Sequence, residues 1–188
     1  MMKILSGSAR GRTIRTLPKD PLVRPILARI KKSVFDIIRP RMKGSRFLDL
    51  YAGTGAVGLE ALSEGAAFVV FVEHDPKCVR VIHENIEHFK FGAQAEVYRL
   101  NVMQDLSSLP KPHDLIFMGP PYIDAARNML ALTQPSLDNI HKYNLLAPGG
   151  LVIAQHHKKE IVGPSDNWEL KRQANYSETV VSFLQLKS

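Results

Sequence analysis

Asp49-Leu50-Tyr51-Ala52-Gly53-Thr54-Gly55-Ala56-Val57-Gly58 decides the fold of this chain. It begins in an apolar strand pattern, Arg46-Phe47-Leu48-Asp49-Leu50-Tyr51. It turns through Gly53 and Gly55 and runs into a helical pattern, Val57-Gly58-Leu59-Glu60-Ala61-Leu62. A glycine-rich turn between strand and helix lets a ligand lie close to the backbone, against the N–H groups and positive dipole end of the helix. That suits a nucleotide-like cofactor with an anionic group. Gly53, Gly55 and Gly58 also fit G-x-G-x-x-G, a weak dinucleotide signal on its own. Asp49, four residues before the first glycine, points elsewhere. A pyrophosphate gains nothing from a carboxylate there, whereas a cationic ammonium or sulfonium does. S-adenosylmethionine therefore ranks ahead of NAD.

Outward from this turn, strand and helix patterns alternate. Strand 46–51 leads to helix 55–64, which stops at Gly65, and strand 67–73 leads to helix 76–90, which stops near Gly92. Strand 95–100 and a loop with Pro110 and Pro112 precede strand 113–118. Helix 123–140, Pro148-Gly149-Gly150 and strand 151–155 follow, then two strands near 167–173 and 178–186 with a turn around Asn175-Tyr176-Ser177. Near-continuous apolar strands alternating with helices predict a parallel sheet covered on both faces, and the closing pair predicts an antiparallel hairpin at one edge. In such a sheet, ligands bind beyond the C-terminal strand ends. Asp49, Glu73, Asn101 and Gly119 lie at or just past such ends.

Before the sheet, residues 1–22 read as short extended pieces, with Ile4, Ile14 and Leu17 spaced as in a hairpin. Residues 25–38 read as a helix whose apolar stripe is Ile26, Ile30, Val34, Ile37 and Ile38, with Arg29, Lys31 and Lys32 off it and Pro40 at its end. Residues 1–46 hold thirteen Lys or Arg and only Asp20 and Asp36 as acids, so this part carries +11 of a net +7, and the remainder carries −4. A basic arm on a mildly acidic body is the footprint of a polyanion-binding protein. At 188 residues and 45% hydrophobic, the chain can bury one sizeable core. Cys78 stands alone, so no internal disulfide forms, and no Cys/His spacing resembles a zinc or other metal site. No apolar run reaches the length of a membrane span and no signal-peptide pattern opens the chain, which reads as soluble and cytoplasmic.

Two further positions carry chemistry. Glu73 ends the second strand, where a carboxylate can accept from both hydroxyls of a ribose. Asp75-Pro76 reads as a helix cap. Asn101 can hydrogen-bond an adenine edge. Gly119-Pro120-Pro121-Tyr122 makes a stiff turn whose carbonyls can accept from an exocyclic amine, and Tyr122 offers a π-face to a base.

Asp49-x-x-x-Gly53-x-Gly55, Glu73 and Pro120-Pro121-Tyr122 resemble the S-adenosylmethionine-dependent methyltransferases of amino groups, whose usual signature is Asp/Asn-Pro-Pro-Tyr/Phe. More closely, the chain resembles the RsmD-like family, which methylates the N2 amine of a guanine in 16S ribosomal RNA. The likeness runs from Gly7-Ser8-Ala9-Arg10-Gly11-Arg12, through Arg24-Pro25, Arg29, Phe35 and the glycine turn, to Leu146-Ala147-Pro148-Gly149-Gly150 and Tyr176-Ser177-Glu178-Thr179. It implies a Rossmann-like class I methyltransferase fold: a mostly parallel seven-stranded sheet over residues 46–188, with a basic RNA-binding extension at 1–45. It implies cofactor contacts at Asp49, Tyr51, Gly53, Thr54, Gly55, Glu73, His74, Asn101 and Val102, and chemistry at Gly119, Pro120, Pro121 and Tyr122. RNA contacts are implied at Arg10, Arg12, Arg15, Arg24 and Arg29. The partner it implies is 16S RNA within a 30S subunit or assembly intermediate, bound by a monomer.

The chain departs from the family pattern twice. Gly119 stands where an acid or amide precedes Pro-Pro, leaving the Pro120 carbonyl, or another group, as acceptor for the target amine. Asn101 replaces an acid. Two rival readings follow from these residues: an RNA-binding homologue with reduced or no catalysis, or an NAD-dependent oxidoreductase on the same glycine turn.

Overall fold

The computed structural model describes residues 2–17, 26–124, 126–163 and 165–187. A short antiparallel pair, β1 (Met2–Lys3) and β2 (Thr13–Ile14), precedes helix α1 (Ala28–Ile38) and a 3₁₀ turn at Arg39–Arg41. Then come β3 (Arg46–Leu50), α2 (Ala56–Ser63), β4 (Phe68–Glu73), α3 (Pro76–Phe89), β5 (Ala95–Arg99) and β6 (His113–Met118). The chain closes with α4 (Thr133–Lys142), β7 (Leu146–His157), β8 (Trp168–Tyr176) and β9 (Thr179–Leu186). Strands β3 to β9 form one sheet in the order β5-β4-β3-β6-β7-β9-β8. The first five are parallel and β9 runs antiparallel between β7 and β8. This is the Rossmann-like, mostly parallel seven-stranded sheet read from the sequence. The chain leaves β3 first towards β4 and β5, then returns to its other side at β6. That reversal opens the crevice beyond the strand ends where α/β proteins bind ligands.

Successive residues of a strand face opposite sides. Phe47 and Phe71 pack with Leu115 and Phe117 under α1, α2 and α3, whereas Leu48, Leu50, Val70 and Val72 pack under α4 and the loop carrying Val102, Leu106 and Leu109. Ile4, Ala9, Ile14, Ile30, Val34, Phe35 and Ile38 belong to the first of these layers, so the described basic segment shares the core of the sheet. Gly7 shows how closely it is set: at φ +76°, a Cβ there would stand 1.7 Å from the Ser63 carbonyl oxygen. Gly58 plays the matching part in α2, where a Cβ would stand 2.2 Å from the Phe71 ring.

Four expectations need correction. Residues 123–124 and 126–130 are not helical: the Asp124 carboxylate accepts from the Asn128 backbone N–H and side-chain amide, and Tyr122 O accepts from Leu130 N–H. An Asp that offers the backbone such a partner competes with helix, so α4 starts only at Thr133. Strand β7 starts at Leu146 rather than 151 and runs through Pro148-Gly149-Gly150 as a bulge, pairing His113 with Leu146 and then Leu115 with Leu151. The β8–β9 turn is two residues, Ser177 and Glu178, later than expected, with Ser177 at φ +59°. Lys31 is not on the solvent side of α1 but buried, paired with Glu60 of α2. Residues 18–22, Arg24 and Pro25 lie outside the described residues.

Candidate active site

The register aligns the site. Leu50 pairs with Val72 on one side and Met118 on the other, and Met118 pairs with Ala154. One residue further along, Tyr51, Glu73, Gly119 and Gln155 therefore stand level across four adjacent strands, the first three at or just past their strands' ends. Tyr51, Gly53 and Gly55 all have positive φ, at +60°, +56° and +84°, which turns the chain sharply into α2. A Cβ at Gly53 would meet nothing within 4 Å, so open space lies against this turn for a ligand.

Glu73 holds the turn. Its Oε2 accepts from Gly53 N–H at 2.8 Å, and its Oε1 accepts from His74 N–H at 2.7 Å and Asp75 N–H at 2.9 Å. The exposed His74 ring places Nδ1 3.0 Å from the same Oε1. A carboxylate offers about four acceptor positions. Three are taken by backbone, so one ribose hydroxyl can bind without rearrangement, and a second takes the place of a backbone donor. Asp49 sits beneath the turn, 1% exposed, and accepts from Gly58 N–H at 2.8 Å. Burial raises its carboxyl to about 7, against the pull of that N–H and with a smaller push from Glu73. Its placement makes it the inner brace of the turn.

The remaining cofactor candidates border the same end. The Tyr51 hydroxyl lies 2.7 Å from Ser136 Oγ, and burial raises its pKa. Asn101 is exposed and closes its own turn, Oδ1 accepting from Met103 N–H at 2.9 Å. Val102 is buried, and its carbonyl accepts from Asn139 of α4. Thr54 is buried, and its carbonyl accepts from Asn85 Nδ2 at 3.1 Å.

Asn85 is a residue that sequence reasoning missed. Fully buried in α3, it also grips the basic segment, accepting from Arg15 N–H at 2.9 Å and donating to Arg15 O at 3.0 Å. One side chain thus joins the arm to the glycine turn. Its signal was present: it occupies the stripe Cys78, Val81, Ile82, Asn85, Ile86 and Phe89, where a polar side chain must find internal partners. Of the arginines expected to meet RNA, Arg10, Arg12, Arg15 and Arg29 are all exposed, and two of them are also engaged within the protein. Arg12 lies over the Phe89 ring and donates to His88 O, and Arg15 pairs with Glu84 at 3.5 Å.

At the second loop, Tyr122 is half-buried. Its hydroxyl donates to Thr179 Oγ1 at 3.3 Å and accepts from Gln155 Nε2 at 3.2 Å, and its ring meets His157 edge to face. Pro120 is buried and Pro121 exposed. Gly119 has ordinary backbone geometry, and a Cβ there would make normal contacts, 3.4 Å to Phe117 and 4.0 Å to Gln155. Among the described residues, no helix is long and apolar enough to cross a membrane.

A family model described as conserved hypothetical protein 95 matches residues 2–185. The chain belongs to this family, the RsmD-like family. Among RsmD-like relatives, YlbH of Bacillus subtilis is 30% identical over 185 residues, covering 96% of this chain and 97% of that protein. The ribosomal RNA small subunit methyltransferase D of Escherichia coli is 28% identical over 173 residues, covering 92% and 83%. The solved structure of yhhF from Escherichia coli superposes with a TM-score of 0.83 at 24% identity, over 100% of this chain and 98% of that one, and so shares its fold.

Proposed function

We propose that this RsmD-like chain is an S-adenosylmethionine-dependent methyltransferase of small-subunit ribosomal RNA, and that its target is the exocyclic N2 amine of a guanine. The observation that carries this reading is the level placement of the glycine turn, Glu73 and Gly119-Pro120-Pro121-Tyr122 at one end of the sheet, which sets a cofactor cradle beside an amine-accepting loop. The residues present fit the cofactor. Gly53 leaves the space, the turn and the start of α2 supply backbone N–H groups, Glu73 keeps an acceptor for ribose, and Val102 and Asn101 border the adenine side.

When bound, S-adenosylmethionine supplies a methyl on a positive sulfur, which the amine accepts as the carbon–sulfur bond breaks and its electron pair returns to sulfur. The protein's part is alignment and exclusion of water. The N2 lone pair is delocalised into the guanine ring, so acceptors at residues 119–122 that hold the amine hydrogens favour its nucleophilic form. The leaving proton passes from these acceptors to solvent. A base in a helix must leave its stack to reach this loop, and on this reading it meets the Tyr122 ring there. The described arm, with Arg10 and Arg29 exposed, is proposed to hold the RNA backbone of a 30S particle or assembly intermediate, the enzyme acting as a monomer.

Incubation with labelled S-adenosylmethionine and small subunits lacking the modification, followed by nucleoside mass spectrometry, tests the reading. Label in N2-methylguanosine is expected. Label in another nucleoside overturns the N2 assignment, and cofactor binding without transfer favours the non-catalytic alternative.

A further inference from the structure

Gly119 brings no side chain to the place where an exocyclic amine must be held, yet the neighbouring strand does. Gln155 of β7 stands next to Gly119, one residue past the Met118–Ala154 rung, and its Cβ lies 4.0 Å from where a Gly119 Cβ would be. Its side chain is not idle packing. Nε2 donates to the Tyr122 hydroxyl at 3.2 Å, and Tyr122 passes the chain on to Thr179 Oγ1 at 3.3 Å. With the amide nitrogen so engaged, Oε1 is left shielded from water with no hydrogen-bond partner among the described residues. A shielded acceptor without a donor is destabilising, and native proteins keep few of them unless a ligand completes them.

We infer that Gln155 is a catalytic residue of this enzyme, its Oε1 accepting a hydrogen of the target amine in place of a side chain at position 119. The inference rests on the proposed amino-group methylation and names the acceptor for it. The chemistry matches. A primary aromatic amine brings two N–H hydrogens, one for the Pro120 carbonyl and one for Gln155 Oε1. Holding both draws the nitrogen lone pair out of conjugation as the N–C bond forms, and this assistance strengthens in the transition state. Gly119 is then part of the device: no side chain at 119 competes with the amide for the amine. The contact between Gln155 and Tyr122 sets the acceptor and the aromatic ring in one fixed relation, so the base that meets the ring presents its amine to the amide oxygen.

Single-turnover methylation of unmodified small subunits by the wild type, Gln155→Ala, Gln155→Met and the double variant Gly119→Asn with Gln155→Ala tests this. Both single variants are expected to be about 100-fold slower, with unchanged cofactor affinity by calorimetry. The double variant is expected to regain most of the rate, because the introduced asparagine restores an amide oxygen in reach of the same amine. Gln155→Met keeps the side-chain length without an acceptor and serves if alanine leaves the protein unfolded. Wild-type rates in the single variants overturn the inference and leave the proposed function standing. Slow variants that Gly119→Asn does not rescue overturn it too, since Gln155 then acts only by packing. A wild type that transfers no methyl overturns the proposed function and the inference with it.

Discussion

Lys31 Nζ lies 2.7 Å from Glu60 Oε2, with both side chains out of water at 1% and 0% exposure. The pair ties three segments together. Glu60 also accepts from Leu5 and Ser6 N–H, and Lys31 donates to Lys3 O. The desolvation cost of such a pair is offset only while every partner is present. Lys31→Met leaves a buried carboxylate uncompensated and is expected to lower stability by about 3–5 kcal/mol in urea unfolding. Lys31→Met with Glu60→Gln should recover part of that. A single variant within about 1 kcal/mol of wild type would show the charge reaching water.

Gly58 and Gly53 separate packing from binding. Gly58→Ala drives a methyl into Phe71 and is expected to cost at least about 1–3 kcal/mol by thermal or urea unfolding, the usual range for overpacking. Gly53→Ala meets no atom within 4 Å. It should cost only about 1 kcal/mol for its positive φ, while weakening S-adenosylmethionine binding, because the methyl occupies the space left for the ligand. Calorimetry showing undiminished affinity for Gly53→Ala would remove that space from the binding site.

Asn85→Ala should weaken cofactor binding although the side chain faces the arm and the back of the turn. Loss of the bond to Thr54 O loosens the turn, and a typical single bond corresponds to about 1 kcal/mol, or a roughly five-fold rise in Kd. Loss of the two bonds to Arg15 should at the same time expose residues 13–17 to faster hydrogen exchange. Unchanged exchange there would mean that the arm is held by other contacts.

Asp49→Asn tests the brace under the glycine turn through pH. The ordinary carboxyl value is 3.8, and burial raises it to about 7 in the folded protein. Between these values the folded state holds a proton that the unfolded chain has released. The contribution to stability is present below about pH 4 and is lost as pH rises towards 7. Asparagine still accepts from Gly58 N–H and does not titrate. The Tm of Asp49→Asn relative to wild type should therefore climb between about pH 4 and pH 7 and level off above that. Burial also lowers the His113 pKa, to about 4, which destabilises the protein on the acid side, but this acts on both proteins and cancels in the difference. A difference that is flat with pH would show Asp49 titrating near its ordinary value.

Of the described arginines that the family likeness points to for RNA, Arg10 and Arg29 are exposed, and Arg12 and Arg15 are engaged with Phe89 and Glu84. Arg10→Ala and Arg29→Ala should each weaken RNA binding and reduce the slope of log affinity against log salt by about 1, while cofactor affinity stays unchanged. An unaltered slope places the RNA elsewhere on the surface.

Much of this was legible in the chain because its signals are local. A buried parallel sheet writes apolar runs such as Phe68-Val69-Val70-Phe71-Val72, and a glycine turn needs its glycines at fixed spacing, so strand identity and sheet class could be read directly, and with them the gathering of residues 49–55, 73 and 119–122 at one end of the sheet. Asp75-Pro76 capped α3 as expected, Asp75 accepting from Lys77 N–H at 2.8 Å. What failed was settled by partners distant in sequence. Lys31 reads as solvent-facing until Glu60 is brought beside it, and Asn85 reads as an ordinary helix residue until Arg15 and Thr54 arrive. The Gly-Gly pair at 149–150 reads as a strand boundary, yet its bulge is held from outside, Gly149 O accepting from Arg41 and Gln185. The false start of the last helix had a local cause, the competing bonds of Asp124.

The closeness of Gly7 to Ser63 bears on how an RNA would be recognised. A loop that tolerates no atom between itself and α2 cannot swing out to wrap a target, so the shape of residues 3–15 is settled when the chain folds. An RNA docking there meets a mould rather than a tether. On the proposed reading, the backbone of that surface needs no ordering on binding, and most of the adjustment falls on the nucleic acid. Such a surface discriminates by the rigidity of its partner. On the proposed reading it favours an RNA segment already fixed in one shape over a loose strand of the same sequence.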